Sequence, residues 1–247
     1  MIFTIAHKEF RSIFATPSTW LILGALQFLF AWFFLARLDA YLQLQTQLAQ
    51  VANAPGATMS VASPLFGTLA LMLMMLIPLF TMRLLAEERR NQTLALLLAA
   101  PISSSQIVIG KFLSLVLFVT LIITSCTVML SILGLGTHLD FGLLVTNALG
   151  LVLLTTSYAA LGLYLSSLTK QPIVAAMSAT ALSFGLWLID VGSADGEIGM
   201  RALSPTAHAQ SLNAGLILSA DILYFVLFIG TFLLLTIRRV NNNRLYA

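Results

Sequence analysis

The sequence predicts an all-α, polytopic membrane protein: six transmembrane helices, an N-terminal amphipathic helix and a short helix between spans two and three. Three observations carry this. Of the 247 residues, 59% are hydrophobic and 9% are charged, against about 25% charged in an ordinary soluble domain. The apolar residues collect in six uncharged runs, most of them near the roughly 20 residues that cross about 30 Å of hydrocarbon. The Lys and Arg residues sort to one side of those runs. Twelve basic and nine acidic side chains cannot cover a soluble fold of this size, and a net charge of +3 spread along such a chain does not point to nucleic acid.

Residues 2–14 begin the chain as an amphipathic helix. Ile2, Ile5, Ala6, Phe10 and Ile13 recur at helical spacing, and Thr4, His7, Lys8 and Arg11 take the other face. The segment is too short to span, and Pro17 with Ser18 and Thr19 ends the pattern. A basic amphipathic helix lies along a membrane surface, either as an anchor or as an elbow that also touches a partner. The runs 20–36, 65–82, 112–137, 141–169, 171–189 and 222–237 follow as spans. The first is a permanent span, because Lys8 and Arg11 stand far from its apolar start and no signal-cleavage pattern follows. Residues 38–51 continue it as a Gln-rich helix that breaks at Asn53, Pro55 and Gly56. Spans three and four form an antiparallel hairpin across His138-Leu139-Asp140. The expected layout is one transmembrane domain, with an amphipathic helix at 1–16, the bundle at 17–237 and a tail at 238–247.

Charge sets the orientation. With both termini in the cytoplasm, Lys8, Arg11, Arg83, Arg89, Arg90, Lys111, Lys170, Arg238, Arg239 and Arg244 lie inside, and only Arg37 and Arg201 lie outside. A multi-pass protein of a bacterial inner membrane is therefore expected. The runs themselves hold no Asp, Glu, Lys, Arg or His, although ion-coupled carriers keep such groups at membrane depth. Hydroxyls and amides such as Gln27, Asn147 and the 155–158 patch read as interhelical hydrogen bonds. No zinc-protease, nucleophile-elbow or P-loop pattern is present. The three histidines, His7, His138 and His208, have no ligand-like spacing. The single Cys126, inside an apolar run, reads as a small buried hydrophobe. No catalytic, metal or cofactor residue is assigned, so any uphill work draws its energy from another chain.

The loop between spans two and three carries the most information. Glu87-Glu88-Arg89-Arg90 is followed by Asn91-Gln92-Thr93, then by Leu94-Ala95-Leu96-Leu97-Leu98-Ala99-Ala100 and Pro101. The apolar piece is too short to cross, and a solvated loop would not carry so many leucines, so something must cover it. Ser103 with Gln106 fits a capping box for a helix that runs through Lys111 into span three.

The stretch 80–112 resembles the signature segment of type-2 ABC-transporter permeases, above all the gliding-motility and nitrous-oxide-reductase-maturation branches. The matching positions are Glu87, Glu88, Arg89, Thr93, Leu94, Leu96, Leu97, Leu98, Pro101, Ser103, Gly110 and Lys111. The chain departs at Gln92, where the family often has Gly, and at Ala95, where it often has Glu. Leu203-Ser204-Pro205, Tyr224-Phe225 and the basic residues after Ile237 are similar to the gliding-motility branch.

The resemblance implies a permease subunit of an ATP-driven exporter that binds no ATP itself and pairs, as a homodimer, with a cytoplasmic ABC ATPase dimer. Glu87, Glu88, Arg89, Arg90, Thr93, Leu94, Leu96, Leu97, Pro101 and Lys111 would then form the coupling segment, and the helix with His7, Lys8 and Arg11 the elbow. Spans two and five would line a path, and spans one and five would make the dimer contact. Ala175, Ala179 and Ser183 recur every four residues, a small-residue stripe suited to dimer or helix packing. The branch leaves a second function open: a membrane scaffold for an ATPase complex that does mechanical or assembly work, with a periplasmic or membrane auxiliary subunit. Outside, residues 191–220 carry three glycines, Asp195 and Glu197, then a semi-apolar stretch, 207–218, expected to fold into the outer leaflet or to cap the bundle.

Overall fold

A computed structural model describes residues 1–48, 56, 58–93, 102–135, 139–192 and 201–245. Among these residues all regular structure is helical. Helix α1 is Ile2–Ala15 and α2 is Pro17–Leu48. Helix α3, Ser63–Met82, is extended at both ends by π turns, Thr58–Ala62 before it and Arg83–Glu87 after it, and closes with Glu88–Arg90. Helix α4 is Ser104–Ser131, continued by a tight turn over Ile132–Leu135. Helices α5, α6, α7 and α8 are Phe141–Leu168, Pro172–Gly192, Pro205–Asn213 and Ser219–Leu245. Six helical stretches, all of these helices but α1 and α7, are long and apolar enough to cross a membrane. The chain is a multi-pass membrane protein.

The helices begin where the local chemistry directs. Ser103 caps α4 as its side chain accepts from the Gln106 N–H at 3.2 Å, while Gln106 Oε1 accepts from the Ser103 N–H at 3.3 Å, so the capping box forms. Asp140 caps α5 through Leu143 N–H at 3.1 Å. Thr16, in extended backbone, separates α1 from α2 at the break expected before Pro17. The helices outrun the apolar stretches. Residues 38–48 prolong α2, and residues 238–245, read from sequence as a tail, continue α8 without a break.

Burial ranks the spans. In α5, 67% of the most apolar window is buried, against 17% in both α2 and α8. Helix α5 is therefore the axis around which α3, α4, α6, α7 and α8 pack, and α2 and α8 form the periphery. Helices α3 and α5 approach closely at Gly162, where a Cβ would run into the Thr81 side chain. Lipid is as apolar as leucine, so such close backbone packing, rather than exclusion of water, holds spans together.

The stripe Ala175, Ala179 and Ser183 is buried within this single chain, where α6 packs on α3 and α5. Ile173 and Met177, on the reverse face of α6, are exposed. The helix expected within 207–218 forms as α7, whose Leu212 is fully buried, and the exposed Leu216, Ile217 and Leu218 lead into α8.

Candidate functional site

The end of the bundle that carries the basic residues gathers most of the sequence-predicted positions around one buried lysine. Lys111 sits in the second turn of α4 and is 1% exposed. Its Nζ donates to Glu9 Oε1 of α1 at 3.0 Å and to Glu88 Oε1, at the end of α3, at 2.7 Å. The partners stand 102 and 23 residues away in sequence. A single ammonium thus ties three elements together. A buried charge persists only when paired and hydrogen-bonded, and here one cation meets two carboxylates. The second oxygen of Glu88, Oε2, has no hydrogen-bond partner among the described residues.

Packing supports the same junction. A Cβ on Gly110 would lie 2.9 Å from Ile5 Cβ and 3.2 Å from the Ile2 carbonyl oxygen, so the neighbouring glycine lets α1 lie directly on α4. Below it, Phe14 stacks edge-on to Phe118 of α4 at 5.6 Å, and Phe118 meets Phe80 of α3 at 4.7 Å. Trp20 Nε1 donates to the Phe14 carbonyl at 2.9 Å, which anchors the end of α1 to the start of α2. The amphipathic helix is therefore clamped to the bundle on one face. His7, Lys8 and Arg11 all point away from it and are exposed.

The π turn at Arg83–Glu87 is held by α5. Ser166 Oγ accepts from the N–H groups of Leu85 and Ala86 at 3.3 and 3.0 Å and donates to the Met82 carbonyl at 3.1 Å. Such bulges free backbone groups that a nearby hydroxyl must satisfy, and they recur at functional sites. Arg89 donates to the carbonyl of Ser167. Arg83 and Arg90 are exposed, and Glu87 is half-buried.

Beyond Arg90 the chain turns out of the bundle. Gln92 has φ +59°, the left-handed conformation that usually closes a helix with glycine. Thr93 Oγ1 donates back to the Glu88 carbonyl at 3.3 Å. The absence of glycine at this position noted in the sequence thus falls on the one described non-glycine residue with positive φ. Leu94, Leu96, Leu97 and Pro101 lie outside the described residues.

Sequence reasoning placed Lys111 in this region but missed its partner Glu9. The signal was present. Glu9 falls in the apolar stripe of α1, between Ile5, Ala6, Phe10 and Ile13, and a carboxylate in such a stripe needs a buried cation. Ser166 and Ser167 carried no comparable mark, since a hydroxyl pair at a helix end is common.

At the opposite end the polar groups pin α7. Asp190 receives Arg201 Nε at 3.3 Å and Gln210 Nε2 at 2.8 Å, and Arg201 also donates to Gln210 Oε1 at 2.7 Å. His208 pairs with Asp221 at 2.6 Å and stacks on Tyr224 at 4.0 Å, and Ser211 donates to the same carboxylate. The imidazole is thus committed to one acid, one ring and, through Nε2, the Ala202 carbonyl at 3.0 Å. Among the described residues no cluster of His, Cys, Asp and Glu could hold a metal ion. His138, Asp195 and Glu197 lie outside those residues.

Six spans, an amphipathic helix clamped beside them and a lysine that joins three elements at the basic end describe a multi-pass membrane protein. The chain matches the ABC-2 family transporter protein over residues 3–236, and it belongs to that family. It is thus a membrane permease component of an ABC transporter, a class that works with a cytoplasmic ABC ATPase. Comparison with curated proteins gives no significant match.

Proposed function

We propose that this chain is the transmembrane subunit of an ATP-driven exporter and that residues 87–111 are where it takes up the ATPase stroke. The observation that carries the reading is the Glu88–Lys111 ion pair at 2.7 Å. Glu88 leads into the leucine segment and Lys111 follows it. The described residues on either side of the segment are therefore clasped together, and the clasp is shared with Glu9 of α1. A push on Leu94, Leu96 and Leu97 would reach α1, α3 and α4 at one point instead of dissipating in a loose loop.

In this reading the basic end and both termini are cytoplasmic, as the charge bias supports, and the membrane is the inner membrane. The leucine segment is the coupling helix, docked in a groove of the ATPase. Helix α1 is the elbow, with His7, Lys8 and Arg11 turned toward lipid headgroups and the partner. Two copies assemble over two ATPase subunits. The exposed Ile173 and Met177 of α6 are available for that contact, since the small-residue stripe is used inside the chain. The gliding-motility branch is the subgroup favoured by the sequence.

The test replaces Leu96 or Leu97 by Asp. Each variant is expected to insert in the membrane at wild-type levels and to lose all coupled ATPase activity. Full coupled activity in both variants would overturn the coupling assignment.

A further inference from the structure

Beside the Lys111 junction, between α1, the start of α2 and the end of α3, lies a cleft of about 460 Å³. Its walls change character with depth. Along α2 the lining passes from Ser18 to Ile22, and along α3 it passes from Glu87 through Arg83 to Leu79 and Phe80. Each step of four residues is about one helical turn, so the cleft runs from charged side chains to the apolar ends of two spans. Leu79 is 40% exposed there. Lys8 and Ser12 of α1 also line the cleft, and both are exposed.

The charges in this wall fall into two groups. Lys111, Glu9 and Glu88 satisfy one another in the junction. Lys8, Arg83 and Glu87 stand apart from it: among the described residues neither cation pairs with a carboxylate, and the half-buried Glu87 pairs with no cation. The leucine segment, 94–101, holds no ionisable side chain, so it brings them no counter-charge. A carboxylate that has lost part of its hydration needs a cation or donors in exchange. The wall as a whole balances three cations against three carboxylates, so net charge does not favour an anionic occupant. Free groups of both signs around one cleft call for a head that carries both.

We infer that this cleft holds the head of a membrane phospholipid that bears both a phosphodiester and a primary ammonium, the chemistry of phosphatidylethanolamine. Lys8 and Arg83 donate to the phosphate in charge-assisted hydrogen bonds, and the Ser12 and Ser18 hydroxyls are further donors. The ammonium meets Glu87, and the acyl chains leave past Ile22, Leu79 and Phe80 into the bilayer. A soluble protein docked on the same charges has no use for that apolar exit. The volume is in the range of sites for small ligands. The inference requires only that this end of the bundle meets a membrane surface, so it stands apart from the ATPase reading.

Native mass spectrometry of the full chain, released from micelles, gives the dissociation constant of the first lipid bound. Phosphatidylethanolamine is titrated against phosphatidylglycerol with the same acyl chains, which has the phosphate and no cation. Phosphatidylethanolamine is expected to bind about three- to fivefold tighter, the scale of one exposed ion pair. Glu87→Gln should invert that order, because it removes a partner for the ammonium and a repulsion for the anionic lipid. Arg83→Gln and Lys8→Gln should weaken both lipids by similar factors. Arg238→Gln, which removes an exposed cation of α8 at the same end of the bundle, should leave both constants as they were.

Glycerophosphoethanolamine, the same head without chains, should fail to displace the lipid at equal concentration. If it competes as well as the lipid binds, the apolar exit contributes nothing and the inference is overturned. Equal constants for the two lipids, or a Glu87→Gln protein that keeps the parent order, overturn it too. So does a loss in Arg238→Gln as large as in Arg83→Gln, which would mark general attraction to a basic surface. The absence of any saturable lipid on the parent chain would give the cleft to a soluble partner and contradict the inference outright.

Discussion

The two ends of the bundle both bury charge, and they do so in different ways. At the basic end one cation, Lys111, holds two carboxylates that lie 102 and 23 residues away in sequence. At the other end the ionic pairs join residues 11 and 13 apart, and each acid has its own base. The far end is a set of local staples that fasten α7 and the start of α8 to the bundle. The basic end is a junction at which α1, α3 and α4 depend on a single side chain. Staples hold a segment still, whereas a shared cation makes separate elements move as one. In the proposed reading, this difference separates the end that caps from the end that transmits.

The comparison can be broken from its strongest side first. Lys111→Met leaves Glu9 and Glu88 without their cation. Loss of one partner of a buried pair costs about 3–5 kcal/mol, and the side chains of Glu9 and Glu88 keep 15% and 22% exposure, so about 2–3 kcal/mol is expected from the screened remainder. Thermal unfolding in micelles measures it. Coupled ATPase activity should fall with it. Adding Glu9→Gln and Glu88→Gln should restore most of the stability but none of the coupling. A triple variant that regains both would make the junction a stability device only.

Gly110→Val forces α1 away from α4, because its Cβ would stand 2.9 Å from Ile5. Overpacking of this kind costs about 1–3 kcal/mol. The matching change at the other end is Gly150→Val, where the Cβ would meet Leu212 at 2.7 Å. The two should lower the melting temperature alike, and only the first should uncouple the ATPase. Equal loss of coupled activity would erase the distinction between the ends. Asp221→Asn weakens the contact to His208 and is expected to cost about 1 kcal/mol with coupling intact, read by the same pair of assays. Gln92→Gly relieves a left-handed residue that is not glycine and should stabilise by about 1 kcal/mol, the one change of the series expected to raise stability.

Much of this arrangement was written in the sequence. A membrane imposes spans of about 20 residues, so the six runs could be counted directly, and Ser103 with Gln106 announced the start of α4. The leucine segment stood out because a solvated loop has no use for it. The rest depended on distance. Nothing local tells that Glu9 reaches Lys111, because ion pairs across 102 residues exist only once α1 lies on Gly110. The small-residue stripe on α6 could serve a partner or the chain itself, and its burial within this chain could not be read from spacing.

The proposed coupling requires contact between the leucine segment and an ATPase, and that contact can be caught directly. A photo-activated amino acid placed at Leu97, irradiated in native membranes, reports its neighbour by mass spectrometry. The expected result is a covalent product with a cytoplasmic ABC ATPase subunit, reduced in the Lys111→Met background. Products with lipid or with this chain alone, and none with an ATPase, would contradict it.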